Sequence, residues 1–124
     1  MESGRNWNSL YPVNIRKAKS IVDSEENFLV ELFTLFLEHL PEQMEQLISA
    51  IEKQDDKTVQ FIAHQLNGAM KNFAADEACK MALNLESAGM ASDFDRSSEC
   101  FDKLKDETET LKNYIENKGW RKYF

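Results

Sequence analysis

Residues 59–73 read VQFIAHQLNGAMKNF, and this stretch has the spacing of an α-helix with one apolar side. At about 100° of rotation per residue, its apolar side chains fall on or beside one stripe that comprises Val59, Ile62, Leu66, Ala69, Met70 and Phe73. His64 points almost directly away from that stripe, so the pattern predicts that its imidazole faces solvent. Asn67, Gly68 and Lys71 share this outward strip at steps of three, four and seven residues. This patch combines an imidazole, an amide, a position without a side chain and an ammonium. The combination indicates a docking site for a phosphoryl group.

The composition limits the fold size and the kind of partner. The chain has 124 residues, of which 42% are hydrophobic, so it suits one compact domain with a real core. With 22 acidic against 15 basic residues, the net charge of -7 disfavours nucleic acid or an anionic membrane surface as the main partner. No apolar run approaches the roughly 20 residues of a membrane span, and the N-terminus lacks the apolar segment of a secretory signal. We therefore expect a cytoplasmic protein with protein partners, and neither nucleic-acid nor membrane binding.

The sequence lacks the residue patterns of several other kinds of functional site. Cys79 and Cys100 are isolated and are predicted to be reduced thiols on helices, not a disulfide framework or a zinc site. A di-iron bundle requires Glu-x-x-His motifs, but a phenylalanine stands three residues before both His39 and His64. No Gly-rich phosphate loop, HExxH or GxSxG pattern occurs, so neither a kinase domain nor a hydrolase is supported. His39 is interpreted as a solvated helix residue, and no metal site is predicted.

Helical spacing extends along almost the whole chain, which contains only 4 glycines and 2 prolines. Residues 1–12 are predicted to form an irregular lead-in, and residues 13–117 a helical bundle whose short first helix spans 13–22. Residues 118–124 form an aromatic and basic tail that either packs or frays. No stretch alternates apolar with polar residues over the length of a strand. Four main amphipathic helices joined by short loops predict an all-α fold, an antiparallel four-helix bundle with a short extra N-terminal helix.

Helix ends are predicted from capping residues, glycines and a proline. Caps are expected before the four main helices, at Asp23 with Ser24, at Asp55 with Asp56, at Asp76, and at Asp93 or Asp95. The helix that carries His64 should end near Phe73, and glycines are expected to close the next helix at Gly89 and the last at Gly119. Pro41 predicts either a kink near Leu40 or a fresh helix start.

Gly68 lies in the middle of its helix, where glycine costs roughly 1 kcal/mol relative to alanine. Because Gly68 is on the outward strip, we interpret it as clearance for a phosphate and a partner's loop, and not as a packing position. Residues 58–75 contain no Asp or Glu, although the chain average predicts about three. No carboxylate lies three or four residues from His64, so the sequence indicates no acidic neighbour on its own helix.

These residues resemble the histidine-containing phosphotransfer (HPt) family, whose core motif reads His-x-Leu-Lys-Gly. The corresponding residues here are His64-Gln65-Leu66-Asn67-Gly68. The likeness extends through residues 37–42 before the motif and Leu85-Glu86 in the following helix, and covers roughly residues 13–117.

The resemblance implies that His64 accepts a phosphoryl group from the aspartyl phosphate of a receiver domain and passes it to another receiver in a multistep phosphorelay. It implies a phosphoryl carrier and not an enzyme with an ATP-binding or kinase domain. No cofactor of its own is expected, since Mg²⁺ would be supplied by the partner receiver. The expected partners are receiver domains of a hybrid sensor kinase and of a response regulator, and the expected state is a monomer.

The chain departs from the family motif at Asn67, where a lysine usually lies beside the phosphohistidine. Lys71 is one turn further along the same strip, and we hypothesise that it supplies the missing charge. Phe61 and Gln65 are candidates for receiver docking. The sequence allows two positions for Phe61 equally well, in the apolar rim around His64 or in the hydrophobic core. Two alternatives stay open: a phosphate-independent helical adaptor that binds receivers without efficient transfer, and a purely structural bundle.

Overall fold

The structure is a computed structural model that describes residues 10–124. These residues form five α-helices, α1 (Ile15–Ile21), α2 (Glu26–Glu52), α3 (Asp56–Lys71), α4 (Asp76–Met90) and α5 (Phe94–Asn117), followed by a 3₁₀ helix at Gly119–Tyr123. The described part of the chain contains no strand, which confirms the all-α bundle with a short extra N-terminal helix. Most of the lead-in predicted for residues 1–12 lies outside the described residues. None of the helices described has the length and apolarity needed to cross a membrane.

The four long helices pack side by side around an apolar core. Helix α3 contacts α2 and α4, and α5 contacts α4 and α2, so each helix has two neighbours. Aromatic side chains fill the end of the core near the C-terminus of α3, where the Phe33 and Phe73 ring centroids are 5.0 Å apart and those of Phe36 and Phe73 are 5.2 Å apart. Both pairs meet edge to face, the geometry that aromatic rings prefer.

Helices α3 and α4 approach each other closely because small residues line their contact. A Cβ atom built on Gly89 would lie 3.0 Å from Val59 Cγ1 and 3.3 Å from the backbone nitrogen of Gln60. Gly89 is therefore a packing position inside α4, and the prediction that it ends the helix is wrong. The helix continues to Met90, and the chain turns at Ser92, whose φ is 53°.

Two of the predicted caps are confirmed. Asp55 caps α3, because its carboxylate accepts from the Thr58 backbone N–H at 3.2 Å and from the Thr58 hydroxyl at 2.7 Å. These hydrogen bonds lower the pKa of Asp55 below its ordinary value. Of the two candidates before α5, Asp93 is the cap, since it accepts from the backbone N–H of Arg96 at 3.0 Å.

The other two predicted caps are wrong. The N-caps of α2 and α4 are Glu25 and Ala75, and neither side chain makes a capping hydrogen bond. Asp23 and Ser24 have φ values of 54° and 62°, so they form the turn after α1 and do not start α2. Asp76 is the first helical residue of α4, where its carboxylate pairs with Lys17 at 3.2 Å.

Proline and glycine do not end helices in the places predicted for them. Helix α2 is continuous through Pro41, so the expectation of a fresh start there is wrong. The exposed proline removes one backbone donor, but buried apolar residues on both sides, Leu40 and Leu47, keep the helix on the core. Helix α5 ends at Asn117 instead of Gly119, because Lys118 adopts the left-handed conformation with φ of 64°.

The tail at residues 118–124 packs against the bundle. The Trp120 side chain is buried, and its indole N–H donates to the Ile115 carbonyl at 3.1 Å. Arg121 forms an ion pair of 3.2 Å with Glu26 at the start of α2. The tail therefore closes the same end of the bundle as the aromatic core residues, away from the middle of α3.

Candidate functional site

His64 lies in the middle of α3 with 72% of its side chain exposed. The helix buries its opposite face, where Ile62 and Leu66 are core residues. The imidazole is thus presented to solvent from a helix that is anchored on its other side, as the periodicity of the sequence predicts.

A carboxylate from the neighbouring helix holds one side of this imidazole. The Nδ1 atom of His64 lies 3.3 Å from Oε2 of Glu86 on α4, and Glu86 is itself only 22% exposed. The other carboxylate oxygen, Oε1, is buried and has no hydrogen-bond partner among residues 10–124. A carboxylate oxygen that faces Nδ1 favours the tautomer with the ring proton on that nitrogen. In this tautomer Nε2 carries the lone pair that can act as the nucleophile.

Glu86 is the site residue that sequence reasoning missed. The sequence indicated no carboxylate near His64 because only positions on the same helix were considered. The contact arises because α3 and α4 pack closely and place residue 86 at the level of residue 64. The Leu85-Glu86 pair is part of the resemblance to the family and was the one indication that Glu86 matters. It did not show which side chain Glu86 would contact.

Gly68 leaves open space one turn from His64. A Cβ atom at this position would meet no other atom within 4 Å. Packing therefore does not require the glycine, and the interpretation as clearance agrees with the geometry. Phosphate binding in this space stays a prediction.

Asn67 is half-buried between α3 and α4. Its backbone carbonyl accepts from the Cys79 thiol at a sulfur–oxygen distance of 3.7 Å. Burial raises the pKa of Cys79 to about 11, so the thiol is protonated at neutral pH and acts here as a weak donor. Cys79 and Cys100 are both free thiols, and no group of three or more His, Cys, Asp or Glu side chains in residues 10–124 is arranged to hold a metal ion.

Lys71 is exposed in the last turn of α3, two turns beyond His64. Seven residues of helix correspond to about 10.5 Å along its axis. Both residues lie on one strip of the helix, and among residues 10–124 the Lys71 ammonium makes no ion pair or hydrogen bond. Helical side chains tilt toward the N-terminus of their helix, which is the direction of His64 from Lys71.

Phe61 and Gln65 flank His64 on the side of α2. Both are exposed, and Phe61 is 61% exposed, so the alternative that Phe61 belongs to the core is wrong. They line an open groove of about 670 Å³ between α2 and α3. Their role in docking stays a prediction.

Comparison with known families gives the class of this chain. The family model described as the Hpt domain matches residues 31–114, which include His64 and the whole of α3 and α4. The chain belongs to the Hpt domain family. A comparison with curated proteins finds no match.

Two solved structures resemble this Hpt domain. Histidine-containing phosphotransfer protein B (HptB) from Pseudomonas aeruginosa has a TM-score of 0.82 at 17% identity, and the match covers 94% of this chain and 100% of that one. The HPT domain of a sensor hybrid histidine kinase from Shewanella has a TM-score of 0.76 at 20% identity, covering 86% of this chain and 92% of that one. At these identities the likeness establishes a shared fold.

The open space at Gly68 leads to a stability prediction for this Hpt domain. We expect Gly68→Ala to raise the free energy of unfolding by about 1 kcal/mol, because alanine is the better helix former and its Cβ meets nothing. Urea denaturation monitored by circular dichroism measures the change. Gly89→Ala is the matched control, since its Cβ would press on Val59 and should bring no such gain. A loss of stability in Gly68→Ala would contradict the interpretation of Gly68 as an unpacked position.

Proposed function

We propose that this protein carries a phosphoryl group on His64 between two receiver domains of a multistep phosphorelay. The observation that carries the proposal is the exposed imidazole of His64, whose Nδ1 lies 3.3 Å from a carboxylate oxygen of Glu86. Membership of the Hpt domain family agrees with a phosphoryl carrier. The proposed partners are the receiver of a hybrid sensor kinase and that of a response regulator, which would place the protein in the cytoplasm.

The proposed transfer forms and breaks one bond to phosphorus in each step. The Nε2 lone pair attacks the phosphorus of an aspartyl phosphate, and the bond from phosphorus to the aspartate oxygen breaks to release the carboxylate. The ring then carries positive charge with its proton still on Nδ1, and the adjacent Glu86 carboxylate stabilises it. In the second step, an aspartate of the next receiver attacks the phosphorus, and the ring leaves as neutral imidazole.

Most of the transition-state stabilisation is proposed to come from the receiver. During transfer the phosphoryl group must be positioned, and positive charge must surround its oxygens. A receiver supplies both through its aspartate pocket and Mg²⁺. This chain contributes an exposed and oriented nucleophile and the space beside Gly68. It acts as a carrier and uses no ATP.

The alternative of a receiver-binding adaptor is favoured by one observation, the uncharged Asn67 in place of the motif lysine. Incubation with receiver domains from the same genome, each labelled with ³²P from acetyl phosphate, separates the possibilities. Label recovered on this chain as alkali-stable, acid-labile phosphohistidine supports the carrier. Binding of receivers without transfer supports the adaptor, and neither binding nor transfer leaves only a structural bundle.

The charge lost at Asn67 leads to a prediction about Lys71. We expect Lys71→Ala to shorten the lifetime of phosphorylated His64 by about two- to fivefold, the usual size of an exposed charge interaction. Asn67→Lys should lengthen that lifetime, because it places an ammonium on the same strip, three residues from the ring. Loss of ³²P from the purified phosphoprotein measures both. If neither substitution changes the lifetime, Lys71 does not replace the missing lysine.

A further inference from the structure

An open groove lies between α2 and α5, on the opposite side of the bundle from His64. Its volume is about 350 Å³, and its apolar lining consists of Leu37, Leu40, Pro41, Met44, Ile48 and Phe101. Helix α2 contacts α3 and α5, and α4 contacts the same two helices, so the α2–α5 face is opposite the face where His64 meets Glu86. A molecule in this groove therefore leaves the imidazole uncovered.

The apolar lining of α2 has the spacing of a single helical strip. This apolar strip, which consists of Leu37, Pro41, Met44 and Ile48, has steps of four, three and four residues. At 1.5 Å per residue it extends over about 16 Å, or three turns. Ile48 is 41% exposed, and Pro41 is exposed as well. The strip matches the apolar stripe of a second helix laid along it, as in the helix-in-groove mode of recognition.

Pro41 also leaves a backbone acceptor in the groove. In a continuous helix the carbonyl of residue 37 accepts from the N–H of residue 41, but proline has no N–H. The Leu37 carbonyl therefore lacks its helical hydrogen bond, and both residues line the groove. A lysine or arginine of a docked helix can donate to this oxygen.

Carboxylates border the apolar strip along α2. Glu38, Glu45 and Glu52 repeat at seven residues and so form one acidic strip. It lies beside the apolar strip on the side away from the buried Leu40 and Leu47. All three glutamates are exposed, and none forms an ion pair with another residue in the range 10–124.

The opposite margin of the groove, on α5, carries balanced charge. Lys105 and Lys112 alternate there with Glu109 and Glu116. The negative excess of the groove therefore lies on α2, where it is complementary to basic side chains. A second copy of this chain fits less well, because a two-fold interface brings the same negative patch onto itself.

We propose that the groove between α2 and α5 is a docking site for an amphipathic helix of a partner protein. The apolar stripe of that helix packs on the apolar strip, and lysine or arginine side chains on its flank face the acidic strip. An exposed apolar surface with a charged rim is typical of an interaction site. The site does not depend on the proposed function, and it allows this partner to stay bound while another protein contacts His64.

Two fluorescein-labelled helical peptides test the chemistry of the groove. Both have leucines at steps of four, three and four residues, and beside them one carries lysines at seven-residue spacing and the other glutamates. We expect the full-length protein to bind the lysine peptide about tenfold more tightly, because the acidic strip attracts one peptide and repels the other. Fluorescence anisotropy measures both affinities. In ¹H–¹⁵N spectra, the lysine peptide should shift the signals of residues 37–48 and 105–116, and not those around His64.

Substitutions in the groove should weaken binding of the lysine peptide. We expect Ile48→Ser to weaken it about fivefold, as for losing half the burial of a large apolar side chain. Glu45→Lys should weaken it about two- to fivefold and strengthen binding of the glutamate peptide by a similar factor. Leu35→Ser is the matched control and should bind as wild type, because Leu35 is 52% exposed on the same helix but does not line the groove.

Four results with the peptides would overturn the inference: no binding of the lysine peptide, equal affinity for the two peptides, shifted signals on α3 and α4 in place of the groove, or an equal loss in Leu35→Ser and Ile48→Ser. Sedimentation of the protein alone tests a second copy as the occupant. A wild-type dimer that Ile48→Ser abolishes would also overturn the inference, because the chain itself would then cover the groove.

Discussion

The His64→Gln variant is expected to accept no phosphoryl group from any phosphorylated receiver domain. Glutamine keeps a polar side chain at this exposed position, so the fold is retained, but its amide nitrogen has no lone pair available for attack. The expected effect is complete loss of ³²P transfer, measured against wild type with the same receivers. Circular dichroism should show unchanged helix content and thermal stability, because the side chain of His64 is not part of the core.

His39→Gln is the matched control, since the chain contains 2 histidines and both are exposed on helices. This variant should reach the same final labelling as wild type, one phosphoryl group per chain. Label that persists in His64→Gln and disappears in His39→Gln would move the acceptor to α2 and contradict the assignment of the site.

The Glu86→Leu variant is expected to slow phosphoryl acceptance by His64 about tenfold, which corresponds to about 1.4 kcal/mol of lost interaction between the carboxylate and the ring. Without the carboxylate, the ring proton is no longer held on Nδ1, and the positive charge of the phosphorylated ring loses its neighbour. Leucine replaces a mostly buried side chain with one of similar size, and it removes a carboxylate oxygen that has no partner in the described chain. Stability should therefore be maintained or increased while transfer slows.

Glu86→Gln removes the charge but keeps an oxygen that can face Nδ1. Transfer by this variant should therefore lie between the wild-type and Glu86→Leu rates. Long-range ¹H–¹⁵N correlation spectra report the ring proton directly: Nδ1–H should dominate in wild type, and both tautomers should be populated in Glu86→Leu. A wild-type rate in Glu86→Leu would show that the 3.3 Å contact has no part in transfer.

The helical periodicity of the sequence predicted most of the fold and the orientation of His64. The apolar stripe of α3 is buried as expected, and Asp55 and Asp93 cap their helices. These features depend on residues within a few positions of one another, so the sequence contains the information directly.

Helix ends were less predictable, because this chain turns without glycine. The turns after α1 to α5 place Asp23, Gln54, Ala74, Ser92 and Lys118 at positive φ, a conformation that usually favours glycine. The glycines instead serve other purposes, such as the close contact of α3 and α4 at Gly89. The rule that glycine marks a helix end therefore placed the ends of α4 and α5 at the wrong residues.

The partner of His64 on α4 could not be derived from local spacing. Glu86 is about 20 residues from His64 in sequence, and whether it meets the imidazole depends on how α3 and α4 align when packed. The close contact of the two helices at Gly89 contributes to that alignment. The nucleophile was therefore predictable, but not the carboxylate beside it.

His64 is proposed to carry the phosphoryl group on Nε2, with the Glu86 carboxylate facing Nδ1. Protein labelled with ¹⁵N and phosphorylated by a receiver domain permits one decisive measurement, the phosphorus–nitrogen coupling within the histidine ring. We expect coupling to Nε2 of His64 and none to the nitrogens of His39. Coupling to Nδ1 of His64, to His39, or to no histidine nitrogen would contradict it.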